Sequence, residues 1–189
     1  MADRLNYGIM LFPRGAAETR RVAERAEALG FSWLGIADSP TVYQESYLHQ
    51  LEALHATRHL TIGPVVTHVT LRHPLIVGNL LATLNEIGGD RTVGVLATGN
   101  SGARGVGLPP ATVKQVGEAV GAIRGYWTGA GGQFDESRIP ATGLGRRGCP
   151  LFIAADGQRM AALAGDQGDG TLRRARPRDA SRRRRAGIA

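Results

Sequence analysis

The sequence predicts an α/β fold in which helices cover a parallel β-sheet. Short apolar segments alternate five times with segments whose apolar residues recur every three or four positions, the periods of buried strands and of helices. The segment lengths also fit strand-helix-strand units with parallel crossover connections. Spacing alone leaves two architectures open, a doubly wound open sheet and a barrel.

The predicted strands are short, apolar and followed by turn residues. The second of them runs into Asp38-Ser39-Pro40, a typical turn sequence. The five strands are expected at residues 5–11, 31–37, 60–66, 91–97 and 150–154.

The predicted helices begin and end at proline and glycine. Proline favours the first turn of a helix, and glycine favours the position just after its last turn. We expect helices at 16–29 before Gly30, at 46–57, from His73-Pro74 to Gly88-Gly89, from Pro109-Pro110 onward, and at 158–163 before Gly165. Segments 98–107 and 128–148 are rich in glycine and predict irregular loops.

Composition excludes some classes of protein. The single cysteine, Cys149, allows no internal disulfide, which fits a reducing, cytoplasmic setting. No apolar segment approaches the roughly 20 residues of a membrane-spanning helix, and the first residues do not have the pattern of a signal peptide. We therefore expect no membrane association.

The net charge of +7 is concentrated at one end of the chain. Eight arginines lie between Arg173 and Arg185 beside one acidic residue, Asp179, and the rest of the chain has 15 basic and 15 acidic residues. Three interpretations of this tail are open: a nucleic-acid or localisation arm, a disordered end, and an end translated from a shifted GC-rich reading frame. We favour the third, because the chain has one lysine and many arginines.

Candidate functional residues follow the predicted strands, where ligands bind in parallel β/α folds. Asp38 follows the second strand and is either a ligand-binding carboxylate or a turn residue. His73 precedes a helix and is either a proton donor or a helix-cap residue. Segment 98–107 matches neither a Walker loop nor a dinucleotide-binding fingerprint. It is either a ligand-binding loop or a flexible connection.

Several segments, taken in their order, resemble luciferase-like monooxygenases. No single one of them is decisive, and together they cover roughly residues 5–171. The matching segments are Ala37-Asp38-Ser39-Pro40 with Glu45-Ser46-Tyr47, Gly63-Pro64-Val65-Val66-Thr67 with Arg72-His73-Pro74, Ala82-Thr83-Leu84-Asn85-Glu86-Ile87 before Gly89-Asp90-Arg91, Thr98-Gly99-Asn100-Ser101, and Pro150-Leu151-Phe152-Ile153-Ala154-Ala155 with Gly168-Asp169-Gly170.

The resemblance implies an incomplete (β/α)8 TIM barrel of about five to six β/α units. A complete barrel typically needs about 250 residues, and this chain has 189. We expect the barrel domain over residues 1–171, with the sixth strand cut short after Gly170, and a disordered basic tail over residues 172–189.

The resemblance also implies a flavin- or deazaflavin-dependent oxidoreductase that binds FMN or the deazaflavin coenzyme F420 and a small organic substrate. The segment that follows the fourth strand favours the deazaflavin-using reductases. Ring-facing residues would be Asp38, Thr67, His68, Gly99 and Asn100, and catalytic candidates are Asp38, His68 and His73. A non-prolyl cis peptide is expected near Thr67-His68.

The cofactor phosphate would lie near Ala155, Asp156 and Gly157. Asp156 departs from the small residue often found there, and its carboxylate would repel a phosphate unless it points away. Because units seven and eight are absent, we expect weak or no cofactor binding and impaired activity. A non-catalytic barrel fragment, a homo-oligomer that completes the barrel, and a nucleic-acid-binding protein acting through the tail are the alternatives.

Overall fold

The computed structural model describes residues 6–173, in which strands and helices alternate in the predicted order. The predictions made for the arginine-rich tail lie outside these residues, apart from Leu172 and Arg173. The strands are β1 (Gly8–Leu11), β2 (Trp33–Ile36), β3 (Thr61–Pro64), β4 (Thr67–His68), β5 (Gly94–Ala97), β6 (Gly132–Phe134), β7 (Ser137–Ile139), β8 (Leu151–Ala154) and β9 (Gly170–Leu172). The helices are α1 (Ala16–Ala28), α2 (Ser46–Ala56), α3 (Pro74–Ile87), α4 (Asn100–Gly105), α5 (Val113–Thr128) and α6 (Gln158–Gln167).

The main strands all pair in parallel, as predicted. β1, β2 and β3 form one sheet, with Gly8 opposite Trp33. β4, β5, β8 and β9 form a second parallel sheet. A parallel bridge between Ile62 and Thr92 connects the two sheets. The strand order therefore follows the chain order, with the β6–β7 hairpin as the exception.

The predicted third strand, at residues 60–66, corresponds to β3, and a further short strand, β4, follows it. A cis peptide bond between Val65 and Val66 lies between β3 and β4, just before the Thr67-His68 position expected from the resemblance. Thr67 and His68 are paired with Leu96 and Ala97 of β5. Thr67 and His68 therefore lie within a strand, whereas the third strand was expected to end at residue 66.

Helix ends show how local sequence determines the elements. His73 is the N-cap of α3 and Pro74 is its first residue, as predicted. α5 begins at Val113, three residues later than predicted from Pro110, because Thr112 and Gln115 form a reciprocal capping box. α6 continues through Gly165 to Gln167, beyond its predicted end at residue 163, and Met160 and Ala164 on its buried face pack in the core.

Both segments that were predicted to be irregular contain regular structure. Segment 98–107 includes α4, and segment 128–148 includes the antiparallel hairpin β6–β7. Phe134 and Ile139 of the hairpin are buried in the core. Leu172, which was assigned to the tail, lies in β9.

The core lies between the parallel strands and the helices that cover them. Its largest fully buried side chains include Leu34, Ile36, Ile62, Leu96, Leu151 and Ile153 from the strands and Val77, Leu81 and Ile123 from the helices. Within residues 6–173, β1 pairs only with β2 and β9 pairs only with β8. None of the helices in this part of the chain has the length and apolarity needed to cross a membrane.

Candidate functional site

The carboxyl ends of β2, β4 and β5 bring several of the predicted site residues together. The Thr67 hydroxyl donates a hydrogen bond of 2.9 Å to Asp38 Oδ2. The His68 ring lies against the backbone of Gly99 and Gly102, so closely that a Cβ atom at either glycine would overlap it. Asp38, Thr67, His68 and Gly99 thus form one buried polar cluster at one end of the sheet.

Asp38 is the central acceptor of this cluster. Its side chain is 2% exposed, and Oδ2 also accepts a hydrogen bond of 2.7 Å from Arg72 Nη1. Among residues 6–173, no hydrogen bond engages its other carboxylate oxygen, Oδ1. The Asp38 carboxylate therefore has a counter-charge on one oxygen and, among the described residues, no hydrogen-bond partner on the other.

Arg72 connects both ends of the loop between β2 and α2. Besides Asp38 at the start of the loop, it pairs with Glu45 at the end, with Nη2 2.9 and 2.8 Å from the two carboxylate oxygens. Its guanidinium lies over the Tyr47 ring, 5.0 Å from the ring centre. Burial alone would lower the pKa of Arg72, but the two carboxylates outweigh that effect and raise it.

Tyr47 is linked to this network through Thr67. Its hydroxyl donates to Thr67 Oγ1 at 3.1 Å, and Thr67 in turn donates to Asp38. Burial raises the pKa of the Tyr47 phenol, so it is a neutral donor at physiological pH. The sequence alone had assigned no role to Arg72. An arginine that directly precedes the helix-opening His73-Pro74 was the available signal.

His68 is the least satisfied polar side chain of the cluster. The residue is 2% exposed, and neither ring nitrogen has a hydrogen-bond partner among residues 6–173. Burial lowers its pKa more than the nearby Asp38 raises it, so the ring is neutral. A buried imidazole with two unpaired nitrogens costs free energy unless a ligand or water supplies partners.

Two other candidates lie at the edge of this cluster. Asn100 is exposed, and its Oδ1 accepts a hydrogen bond from Arg104 Nε at 2.8 Å. The His73 ring accepts a hydrogen bond from Leu75 N through Nδ1 and lies edge-on to Phe134. These contacts correspond to the helix-cap interpretation of His73.

The end of β8 forms a second group beside an open cleft. Ala155 is buried, whereas Asp156 and Gly157 are exposed. Gly157 caps α6 without a side-chain hydrogen bond to the helix. The cleft has a volume of about 590 Å³ and is lined by Thr98, Ala111, Thr112, Val113, Gly157, Gln158, Arg159 and Met160. It therefore lies between the residues that follow β5 and the start of α6.

The parallel strands, the helices that cover them and the polar cluster at the carboxyl ends of the strands place the chain among partial TIM-barrel-like α/β proteins. Comparison with known proteins identifies the family. The profile of the luciferase-like monooxygenase family matches residues 5–189, and the chain belongs to this family. The resemblance noted from the sequence is confirmed, and so is the partial TIM-barrel-like α/β fold.

Individual relatives agree with this assignment. A 5,10-methylenetetrahydromethanopterin reductase of Archaeoglobus fulgidus is 31% identical over 177 residues, a match that covers 89% of this chain and 52% of the relative. The coenzyme F420-dependent tetrahydromethanopterin reductase of Methanopyrus kandleri has a similar fold, with a TM-score of 0.82 at 23% identity, covering 91% of this chain and 56% of that one.

A monooxygenase also has a similar fold. The FMN complex of the oxygenating constituent of 3,6-diketocamphane monooxygenase from Pseudomonas putida has a TM-score of 0.63 at 13% identity, covering 81% of this chain and 52% of that one. The chain spans about half the length of the relatives it matches.

Proposed function

We propose that this chain carries the ring-binding part of a flavin- or deazaflavin-dependent oxidoreductase that acts on a small organic substrate. The observation that carries the proposal is the buried cluster of Asp38, Thr67 and His68 against Gly99. It provides one anionic acceptor, Asp38 Oδ1, beside a neutral imidazole with no partner among residues 6–173. The relatives whose names include F420 or FMN support a cofactor of this kind.

The residues of the cluster fit an isoalloxazine-type ring in chemical terms. Such a ring has N–H donors and carbonyl acceptors, which Asp38 and the neutral His68 can pair with. Gly99 has a φ of 77° and no side chain, so its backbone can lie directly against the His68 ring and fix that ring within the cluster. When bound, the cofactor supplies hydride transfer or, as a reduced flavin, reaction with O2.

The phosphate of the cofactor would lie at the start of α6. Backbone N–H groups of the first helical turn attract anions, and Gly157 provides no side chain that would compete for them. Arg159, in the same turn, lines the adjacent cleft. Asp156 would have to remain directed away from the phosphate, because like charges repel.

We further propose the deazaflavin coenzyme as the preferred cofactor. The methylenetetrahydromethanopterin reductases among the curated relatives and the F420-dependent solved structure support this preference. A competing proposal, a non-catalytic fragment of a barrel, is favoured by the exposed side chains of Ile9 and Met10 on β1.

The test is a titration of the 189-residue protein with F420, FMN and riboflavin, followed by amide NMR so that weak binding is detected. We expect weak, saturable shifts at Thr67, His68 and Gly99, with F420 binding more tightly than FMN. Riboflavin, which lacks the phosphate, should bind more weakly than FMN. Asp38→Asn should reduce ring binding, whereas Glu24→Gln on the exposed face of α1 should not.

Two results would contradict these proposals. If none of the three compounds perturbs the cluster, the oxidoreductase proposal fails and the fragment interpretation gains support. If the shifts occur only around α6, the phosphate site is supported but the ring site is not. Micromolar or tighter binding would contradict the expectation of weak binding drawn from the sequence.

A further inference from the structure

Arg72 is the residue on which the arrangement of the cluster depends. Its side chain is 15% exposed and forms ion pairs with Asp38 and Glu45, which lie at the two ends of the loop from residue 37 to residue 45. Glu45 also accepts a hydrogen bond from Tyr47 N and so caps α2. One guanidinium therefore connects the end of β2, the start of α2 and the segment before α3.

The contacts around Asp38 form a closed ring. Arg72 and Thr67 both donate to Asp38 Oδ2, Tyr47 donates to Thr67, and the Tyr47 ring lies beneath the Arg72 guanidinium. A planar guanidinium satisfies two carboxylates in fixed directions, which an ammonium group cannot do. The ring of contacts thus fixes which carboxylate oxygen of Asp38 is engaged and which is available.

We infer that Arg72 is a positioning residue: it holds the Asp38 carboxylate and the 37–45 loop in one arrangement and keeps Oδ1 available to a ligand. This inference rests on the proposed function for the identity of the ligand, but not for the arrangement itself. The loop also carries Ser39, whose hydroxyl is 3.3 Å from that of Ser101 on α4. Loss of Arg72 should therefore affect the loop locally and the ligand site with it.

The first test needs no ligand. Hydrogen exchange of peptides covering residues 38–46 is compared in the wild-type chain, Arg72→Gln and Arg72→Lys. We expect exchange there to be at least about tenfold faster in Arg72→Gln, with β3 and β5 unchanged. Arg72→Lys should be intermediate, because a lysine retains the charge but cannot engage both carboxylates as a fork.

The matched control is Arg20→Gln. Arg20 forms an ion pair with Glu52 between α1 and α2 on the surface, so the same substitution removes a pair remote from the cluster. It should leave exchange over residues 38–46 unchanged. Unchanged exchange in Arg72→Gln would overturn the inference, and so would faster exchange spread evenly over the whole chain. If Arg72→Gln does not fold, Arg72→Lys decides between these outcomes.

The second test separates positioning from a merely structural role through a double-mutant cycle of Asp38 and Arg72, followed by FMN titration. Arg72, Thr67, Tyr47, Glu45 and His68 surround Asp38. Without the guanidinium, no ion pair holds the Asp38 carboxylate in one orientation, so the substitution should act on the ligand through Asp38.

We expect Arg72→Gln to bind FMN about 10- to 100-fold more weakly than the wild type. The Asp38→Asn/Arg72→Gln double variant should bind FMN no more weakly than Asp38→Asn alone, because Arg72 acts through Asp38. Losses that add in the double variant would overturn the positioning role. If the wild-type chain binds neither FMN nor F420, the proposed function fails, while the exchange experiment still decides the role of Arg72.

Discussion

Arg91 provides the sharpest test of how the opposite end of the fold is held together. Its Nε donates to Gly88 O at 2.8 Å, and its Nη atoms donate to Thr57 Oγ1, Thr57 O, Leu60 O and Leu54 O at 3.0–3.1 Å. These acceptors include carbonyls at the ends of α2 and α3, which have no partners within their own helices. Arg91→Met keeps most of the side-chain volume and removes all five hydrogen bonds.

The expected loss is about 3 kcal/mol of the free energy of unfolding. A hydrogen bond to a charged group is worth about 1.5–3 kcal/mol, but five such values would approach the whole stability of a typical domain. Arg91 is half-buried, so water replaces part of the lost bonding. A cation at each helix end contributes a further ~0.3–1 kcal/mol. For a chain of this size the loss corresponds to a melting temperature lower by about 6–12 °C.

The assay is urea unfolding followed by the fluorescence of Trp33 and Trp127, with circular dichroism as a second probe. Arg91→Lys should lose about half as much, because an ammonium group reaches fewer of the carbonyls. Arg21→Met, at an exposed arginine on α1, controls for the substitution itself. A loss below about 1 kcal/mol in Arg91→Met would refute the argument that these hydrogen bonds hold the helix ends.

Three further predictions concern other parts of the fold. The Glu27 carboxylate accepts hydrogen bonds from the backbone N–H groups of Arg58, His59 and Leu60; burial opposes these bonds, but together they lower its pKa. The stabilisation by Glu27 is therefore present above the unfolded-state pKa and is lost as pH falls through the folded-state pKa. In urea unfolding, the difference in free energy of unfolding between wild type and Glu27→Gln should close in acid. A difference independent of pH would contradict this. Gly102→Ala should lower the free energy of unfolding by about 1–3 kcal/mol, because its Cβ overlaps the His68 ring. Adding His68→Ala to the same chain should recover much of this loss. Gly121→Ala, in open space on α5, should instead stabilise the protein. Trp127→Phe removes the hydrogen bond of 2.9 Å from Trp127 Nε1 to Gly78 O, and thermal unfolding should show a free energy of unfolding lower by about 1–2 kcal/mol. No measurable loss would show that this bond is dispensable.

The sequence by itself determined the order and type of the main elements. Apolar periodicity over ten or more residues is a local property, and so are the His73-Pro74 start of α3 and the turn after β2, so these features were predictable. That Asp38, Thr67, His68 and Gly99 lie near one another was also predictable, because the carboxyl ends of parallel strands lie at one end of a sheet whatever the helices do.

Only the tertiary structure decided the features that depend on distant partners. The three-residue strands β6 and β7 are too short to show a period, and they form because Phe134 and Ile139 gain burial in the core. α6 continues through Gly165 to Gln167 although a glycine within a helix costs roughly 1 kcal/mol, so its end was not predictable from that glycine. Arg72 lies 34 residues from Asp38 and 27 from Glu45 along the chain, and no local pattern in the sequence encodes an ion pair at such a separation.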